Sequence, residues 1–208
     1  MAVESGRRER NKAQKRERIT AAASRLFATQ GFASTTTAQV AEEADVSHGT
    51  LFRYAASKAE LLLLVGNTRF RESLDSGRAA CASTDDPVER LTALVSPMAG
   101  DTLSLENLAA YQRNVLDGSP DEEHRAEALR LVDELIATIG AILRDAWPSP
   151  DAPDPAVAAE ALYATLHVLI LRTEREQLDS SAFLHDFHEH ATLVVRGYLT
   201  TPRERTSP

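Results

Sequence analysis

Apolar residues recur every three to four positions along nearly the whole chain, and each such stretch predicts a helix. Between Glu9 and Gln30, the residues Ile19, Ala22, Ala23, Leu26 and Phe27 fall at i, i+3, i+4, i+7 and i+8, one stripe along one side. Gly31 is placed to end this helix in a left-handed conformation, with Phe32 folding back on the last turn. Thr36 followed by Gln39 reads as a capping box opening a short helix, Thr37 to Glu43, with Val40, Ala41 and Ala44 inward. Asp45 and Val46 form a turn. Ser47 caps a helix from His48 to Tyr54, and Ser57 with Glu60 forms a further capping box for a long helix running through "LLLLV" towards Ser76.

Beyond that point Asp86-Pro87, Ser119-Pro120 and Asp154-Pro155 repeat one signal, a capping side chain followed by proline at the first helical position. The predicted helices are Val88 to Ser96, Leu103 to Leu116, Pro120 to Trp147 with Leu131, Leu135, Ile139 and Ile142 on one side, Pro155 to Arg175, and Ser181 to Leu199. The proline-rich stretch "WPSPDAPDP" is a loop. The fold class is therefore all-α. Residues 1–56 read as a basic arm with a three-helix head, 57–201 as a helical body, and 202–208 as a disordered tail.

The net charge of −8 hides an asymmetry. Through Lys58 there are ten Lys and Arg against six Asp and Glu, a balance of +4; the rest carries 13 against 25, or −12. A basic head on an acidic body suits a protein that touches a polyanion with one part only. A solvated N-terminal helix gives the same count. Apolar residues make up 43% of the chain, and no apolar run approaches the roughly 20 residues of a bilayer-spanning helix. The charged N-terminus gives no sign of a signal peptide, and a lone cysteine, Cys81, permits no internal disulfide, so a cytoplasmic protein without a membrane partner is expected.

Two short helices joined by a three-to-four-residue turn have the geometry of a helix-turn-helix, whose second helix enters the major groove of DNA. Here the second helix points Ser47, His48, Thr50, Phe52, Arg53 and Tyr54 outward, a donor-rich set without a carboxylate. Ser47 sits where free backbone N–H groups attract a phosphate, and Gly49 lets the helix start approach the duplex closely. Thr50 and Arg53 suit base edges. Thr37, Tyr54 and Lys58 suit the backbone.

The segment "ITAAASRLFATQGFASTTTAQVAEEADVSHGTLFRYAASKAELL", Ile19 to Leu62, resembles the DNA-binding head of TetR-family transcriptional regulators. The resemblance covers about a fifth of the chain. It implies a homodimer that binds a double-stranded, pseudo-palindromic DNA operator, most often a repressor released by a small-molecule effector. By position it gives a DNA-contacting set of Thr36, Thr37, Ser47, His48, Gly49, Thr50, Phe52, Arg53, Tyr54 and Lys58. Three positions depart from the family pattern: His48 replaces a usual lysine, Phe52 a frequent tyrosine, and Ala55 a bulky aromatic inside the head, whose space Phe32 or Leu61 is expected to fill. These departures keep a second reading in play, a dimeric helical ligand-binding module with a weakened or lost DNA-binding head.

The arm "GRRERNKAQKRER" carries Arg7, Arg8, Arg10, Lys12, Lys15, Arg16 and Arg18, and reads equally as a DNA-tracking segment or a solvated helix extension. The stretch "ALYATLHVLIL" is apolar nearly all round and calls for cover on both sides. A two-fold interface is therefore expected through Leu162, Leu166, Ile170, Phe183, Phe187, Val194 and Tyr198. An effector pocket is expected between body helices, lined by Phe70, Tyr111, Gly140, Trp147 and His167. "HDFHEH" spaces His185 and His188 on one helix side, but without a second ligand cluster no metal is assigned. No nucleophile elbow, phosphate loop or zinc-protease motif is present, so neither enzymatic activity nor a cofactor is expected.

Overall fold

The computed structural model describes residues 2–100, 105–117, 122–176 and 179–201. Among these the regular elements are all helical: α1 (Ala2–Ser34), α2 (Thr37–Glu43), α3 (His48–Leu51), α4 (Lys58–Ala80), a 3₁₀ turn (Cys81–Ser83), α5 (Pro87–Gly100), α6 (Leu105–Asp117), α7 (Glu123–Ala146), α8 (Pro155–Glu176) and α9 (Ser180–Thr200). The Ser119-Pro120 signal and the 202–208 tail lie outside the described residues.

The chain forms two compact units, one of residues 1–69 with 102–128, the other of 70–101 with 129–208. These units are not the head and body divided at residue 56. The first unit also takes the start of α4, all of α6 and the first turn of α7, because buried polar side chains from α6 and α7 bond to the head. Asn107 of α6, wholly buried, accepts from Phe32 N–H at 3.1 Å and donates to the Phe27 carbonyl at 2.8 Å. These bonds span the break at Gly31, whose φ of 77° and ψ of 164° interrupt α1 where the sequence predicts the first helical run to end. Such a φ favours glycine, since a Cβ there clashes with the following backbone.

The stripe of α1 is buried as its spacing demands, Ile19, Ala22, Ala23 and Phe27 forming the core of the first unit with Val40, Ala41 and Leu51. α1 extends to Ala2, seven residues before the expected start. The Thr36–Gln39 capping box forms in both directions. The expected Ser57–Glu60 box forms only half: Ser57 Oγ accepts from Glu60 N–H at 3.0 Å, while the buried Glu60 carboxylate accepts from His124 N–H.

In the second unit α9 packs against α5 and α8. Asp86 Oδ1 caps α5 by accepting from Val88 and Glu89 N–H, and Asp154 Oδ1 accepts from Ala156 N–H, as the aspartate-proline signal requires. Asp179 caps α9. Bonds from Ala182 and Ser181 hold its carboxyl below the ordinary carboxylate range. Gly77 is needed for a close approach, since a Cβ there would stand 2.2 Å from the Leu94 carbonyl oxygen.

The interface expected on α8 and α9 needs correction. Leu162, Leu166, Ile170, Phe183, Phe187 and Tyr198 are buried inside the single chain and offer nothing to a second copy; Val194 is half-buried. The apolar side chains these helices leave in solvent are Val157 (75% exposed), Val168 (61%), Leu193 (70%) and Leu199 (37%). The reason is that a helix apolar on every side does not reveal which arc its own chain covers. The window 155–172 also has the length and mean hydropathy, 1.2, of a spanning helix, contrary to the sequence expectation; it is one third buried against its own unit.

The five residues expected to line one pocket are divided between the units. Tyr111 is buried in the first, its hydroxyl donating to Asn67 Oδ1 at 2.7 Å with its ring against Gly66, where a Cβ would stand 2.3 Å away. In the second unit Trp147 meets Tyr198 edge-on at 6.2 Å, and Gly140 is buried with Ala159 Cβ 3.9 Å from where its own Cβ would be. Phe70 and His167 are half-buried, and burial holds the His167 imidazole below its ordinary pKa. The "HDFHEH" side chains have separate partners: His188 faces Thr92 and Glu89, His190 bonds the Asp186 carbonyl, and Asp186 pairs with Arg172. Cys81 is a buried thiol whose Sγ contacts the Arg90 carbonyl oxygen, and burial pushes its pKa up.

Candidate nucleic-acid interface

The turn between α2 and α3 is built by local bonds. Asp45 takes φ 50°, tolerable for aspartate in the left-handed region. Arg18 closes the end of α2 by donating to the carbonyls of Ala44 and Asp45 and pairing with the Asp45 carboxylate at 2.8 Å. Arg18 is thus part of the head's frame rather than a free arm cation. Ser47 caps α3, its Oγ accepting from Thr50 N–H at 3.1 Å. The regular helix is shorter than expected, His48–Leu51, but Ala55 N–H still bonds the Leu51 carbonyl, and Arg53 and Tyr54 tighten into 3₁₀ bonds to Thr50 and Leu51.

Only Leu51 of that segment is anchored in the core; Ser47, His48, Gly49, Phe52 and Arg53 are exposed and Thr50 and Tyr54 half-exposed. His48 Nε2 lies 3.2 Å from Thr37 Oγ1, and its ring stands edge-on to Phe52 at 4.7 Å. Arg53 reaches back to Thr50 Oγ1 at 3.4 Å. A Cβ on Gly49 would meet no atom within 4 Å, so the protein's own packing does not require a glycine there. The outward face of the 47–54 segment carries no carboxylate, and the caps at Thr36 and Ser47 fix the starts of the two helices that frame it.

Two members of the expected set have other work. Thr36 is exposed but its hydroxyl is engaged in the cap. Lys58 donates to the Ala33 carbonyl at 3.0 Å with its ammonium 4.5 Å over the Phe32 ring, a site where desolvation lowers its pKa. In the unbound chain its charge supports the segment after Gly31.

Ala55 is buried, and Phe32, one of the two residues expected to fill its space, pairs instead with Phe27 at 5.7 Å and with Lys58; Leu61, the other, is buried. The side chain brought to this place from outside the motif is His124. It is buried, and its Nε2 donates to the carbonyl of Tyr54 at 2.8 Å; Asn67 donates to the His124 carbonyl at 2.8 Å. Neither His124 nor Asn107 was legible as a head residue, since each acts across 70 to 80 positions.

Residues 19–65, from the buried stripe of α1 through α2 and α3 into the start of α4, match the family model for bacterial regulatory proteins of the tetR family. The head is thus similar to that of tetR-family transcriptional regulators. It is 25% identical over 185 residues to the HTH-type transcriptional regulator BetI of Rhizobium meliloti, covering 88% of this chain and 91% of that one. Among solved structures, the tetR-family repressor FadR of Thermus thermophilus in complex with lauroyl-CoA superposes with a TM-score of 0.68 at 25% identity, covering 93% of this chain and 98% of FadR. A transcriptional regulator of Saccharomonospora viridis in complex with choline has a TM-score of 0.65 at 20% identity, covering 85% and 95%. The likeness thus extends through both units of the tetR-family fold.

Proposed function

We propose that this regulator binds a pseudo-palindromic operator as a homodimer, represses from it, and is released by a small-molecule effector. The observation that carries the reading is the outward face of the 47–54 segment, where Ser47, His48, Thr50, Phe52, Arg53 and Tyr54 stand in solvent with no carboxylate among them. Thr50 and Arg53 are the base-reading pair, with Gly49 leaving room for the duplex; Thr37, Ser47, His48 and Tyr54 hold phosphates. The second copy covers the solvent-facing apolar arc of α8 and α9, Val157, Val168, Leu193 and Leu199, next to Gly197, whose Cβ position is open. FadR's lauroyl-CoA and the S. viridis protein's choline support a small-molecule effector; they differ too much in chemistry to choose its class.

The test is a gel-shift titration with the region upstream of the chain's own gene, using the wild type with Thr50→Ala and Arg53→Ala. Each substitution should remove about 1–3 kcal/mol of preference for the operator over unrelated DNA. A folded wild type that retards neither duplex at low salt would instead favour a ligand-binding module with an inactive head.

A further inference from the structure

The stripe that buries α1 changes character as the helix leaves the core. Counting back from Ile19 in steps of three and four gives Lys15, Lys12 and Arg8, so the side that is apolar at Ile19, Ala22, Ala23 and Phe27 becomes cationic upstream. This cationic side is not loose. Tyr54 Oη donates to the Lys12 carbonyl at 3.2 Å, fastening the arm to the end of the recognition segment. Between them lies a cleft of about 320 Å³ lined by Arg8, Asn11, Lys12, Lys15, Arg53 and Tyr54. None of the six is acidic, and among the described residues Lys12 and Lys15 have no ion-pair partner. Like charges gathered this way repel, and an anion seated among them removes that repulsion.

Resting on the operator reading above, we propose that this cleft clamps a backbone phosphate of the duplex just outside the bases read by Thr50 and Arg53. Arg53 decides the occupant. It belongs at once to the outward face of the recognition segment and to the cleft, so a duplex lying against the first passes the second. The ten residues before Lys12 continue the helix by about 15 Å at 1.5 Å per residue, carrying Arg7, Arg8 and Arg10 along the flank. The regulator therefore needs a duplex longer than its base contacts, and the flank contributes affinity without sequence preference.

The experiment uses the full chain and fluorescence anisotropy on two operator duplexes, one ending at the half-sites and one extended by a helical turn on each side. Wild type is compared with the double variant Lys12→Ala/Lys15→Ala and with Lys12→Arg/Lys15→Arg. Wild type should prefer the longer duplex. The alanine variant should lose that preference and weaken equally on operator and unrelated sequence. Its salt dependence should be shallower by about 0.9 in log–log slope for each phosphate it no longer neutralises, with arginine restoring the wild-type slope. Circular dichroism melts should be unchanged, both lysines being exposed. An unchanged slope and length preference in the alanine variant would overturn the clamp while leaving the operator reading intact. Lysine-dependent binding to phosphatidylglycerol vesicles with DNA affinity unaltered would also overturn it. No binding of the wild type to either duplex would overturn both.

Discussion

The two compact units bury their helices by different means. Among the described residues, six polar ones are buried in the first, Thr35, Glu60, Asn67, Asn107, Gln112 and His124, and only Ser73 in the second. The first unit is joined by directional bonds: Asn107 across the Gly31 break, Tyr111 to Asn67, and His124 to the Tyr54 carbonyl. The second is joined by apolar area, Phe183 and Phe187 buried with Leu131, Leu135 and Leu162, and by ion pairs nearer the surface such as Arg90 with Asp145. A buried hydrogen bond fixes an angle, whereas apolar area accepts many shapes. The unit that must present α3 in one orientation is the one specified by bonds.

Substitution separates the two means. Phe187→Ala, in the area-built unit, should have the largest effect, a loss of about 3–5 kcal/mol in urea unfolding. Val168→Glu with Leu193→Glu should leave the single chain folded and shift sedimentation towards monomer. Asn107→Leu, in the bond-built unit, removes the bonds to Phe27 and Phe32 and should cost about 2–4 kcal/mol, with DNA affinity falling alongside. A loss below about 1 kcal/mol would deny that the bonds matter. Gly77→Ala should cost about 1–3 kcal/mol because the Leu94 backbone stands in the way. Gly140→Ala, whose methyl would find ordinary contact with Ala159, should be neutral or raise stability by up to about 1 kcal/mol, read from thermal melts.

What the sequence disclosed follows the same division between local and distant causes. Thr36 with Gln39, Ser47, Asp86-Pro87 and Asp154-Pro155 act within three residues, and the helix starts they mark are where the residues put them. Gly31 was legible as the positive-φ position where the helical run breaks, but the bonds that Asn107 makes across that break come from 76 positions away in the chain and are invisible to any local pattern. For α8 the periodicity disclosed too much apolar surface without saying which side was inside, so it points to the interior face as the interface. Gly66 and Gly77 went unread because a glycine needed for close approach is recognised only by what stands opposite it, Tyr111 in one case and Leu94 in the other. The outward residues of 47–54 were legible because a helix turn of four residues has so few positions to bury.

Operator recognition depends most on that outward face meeting the major groove twice. Guanine N7 methylation interference on the operator measures this directly. The prediction is two major-groove patches whose centres lie one helical turn, about 10 base pairs, or a whole multiple of it apart, both abolished by Arg53→Ala. A single patch, or retention of both patches by the variant, would contradict it.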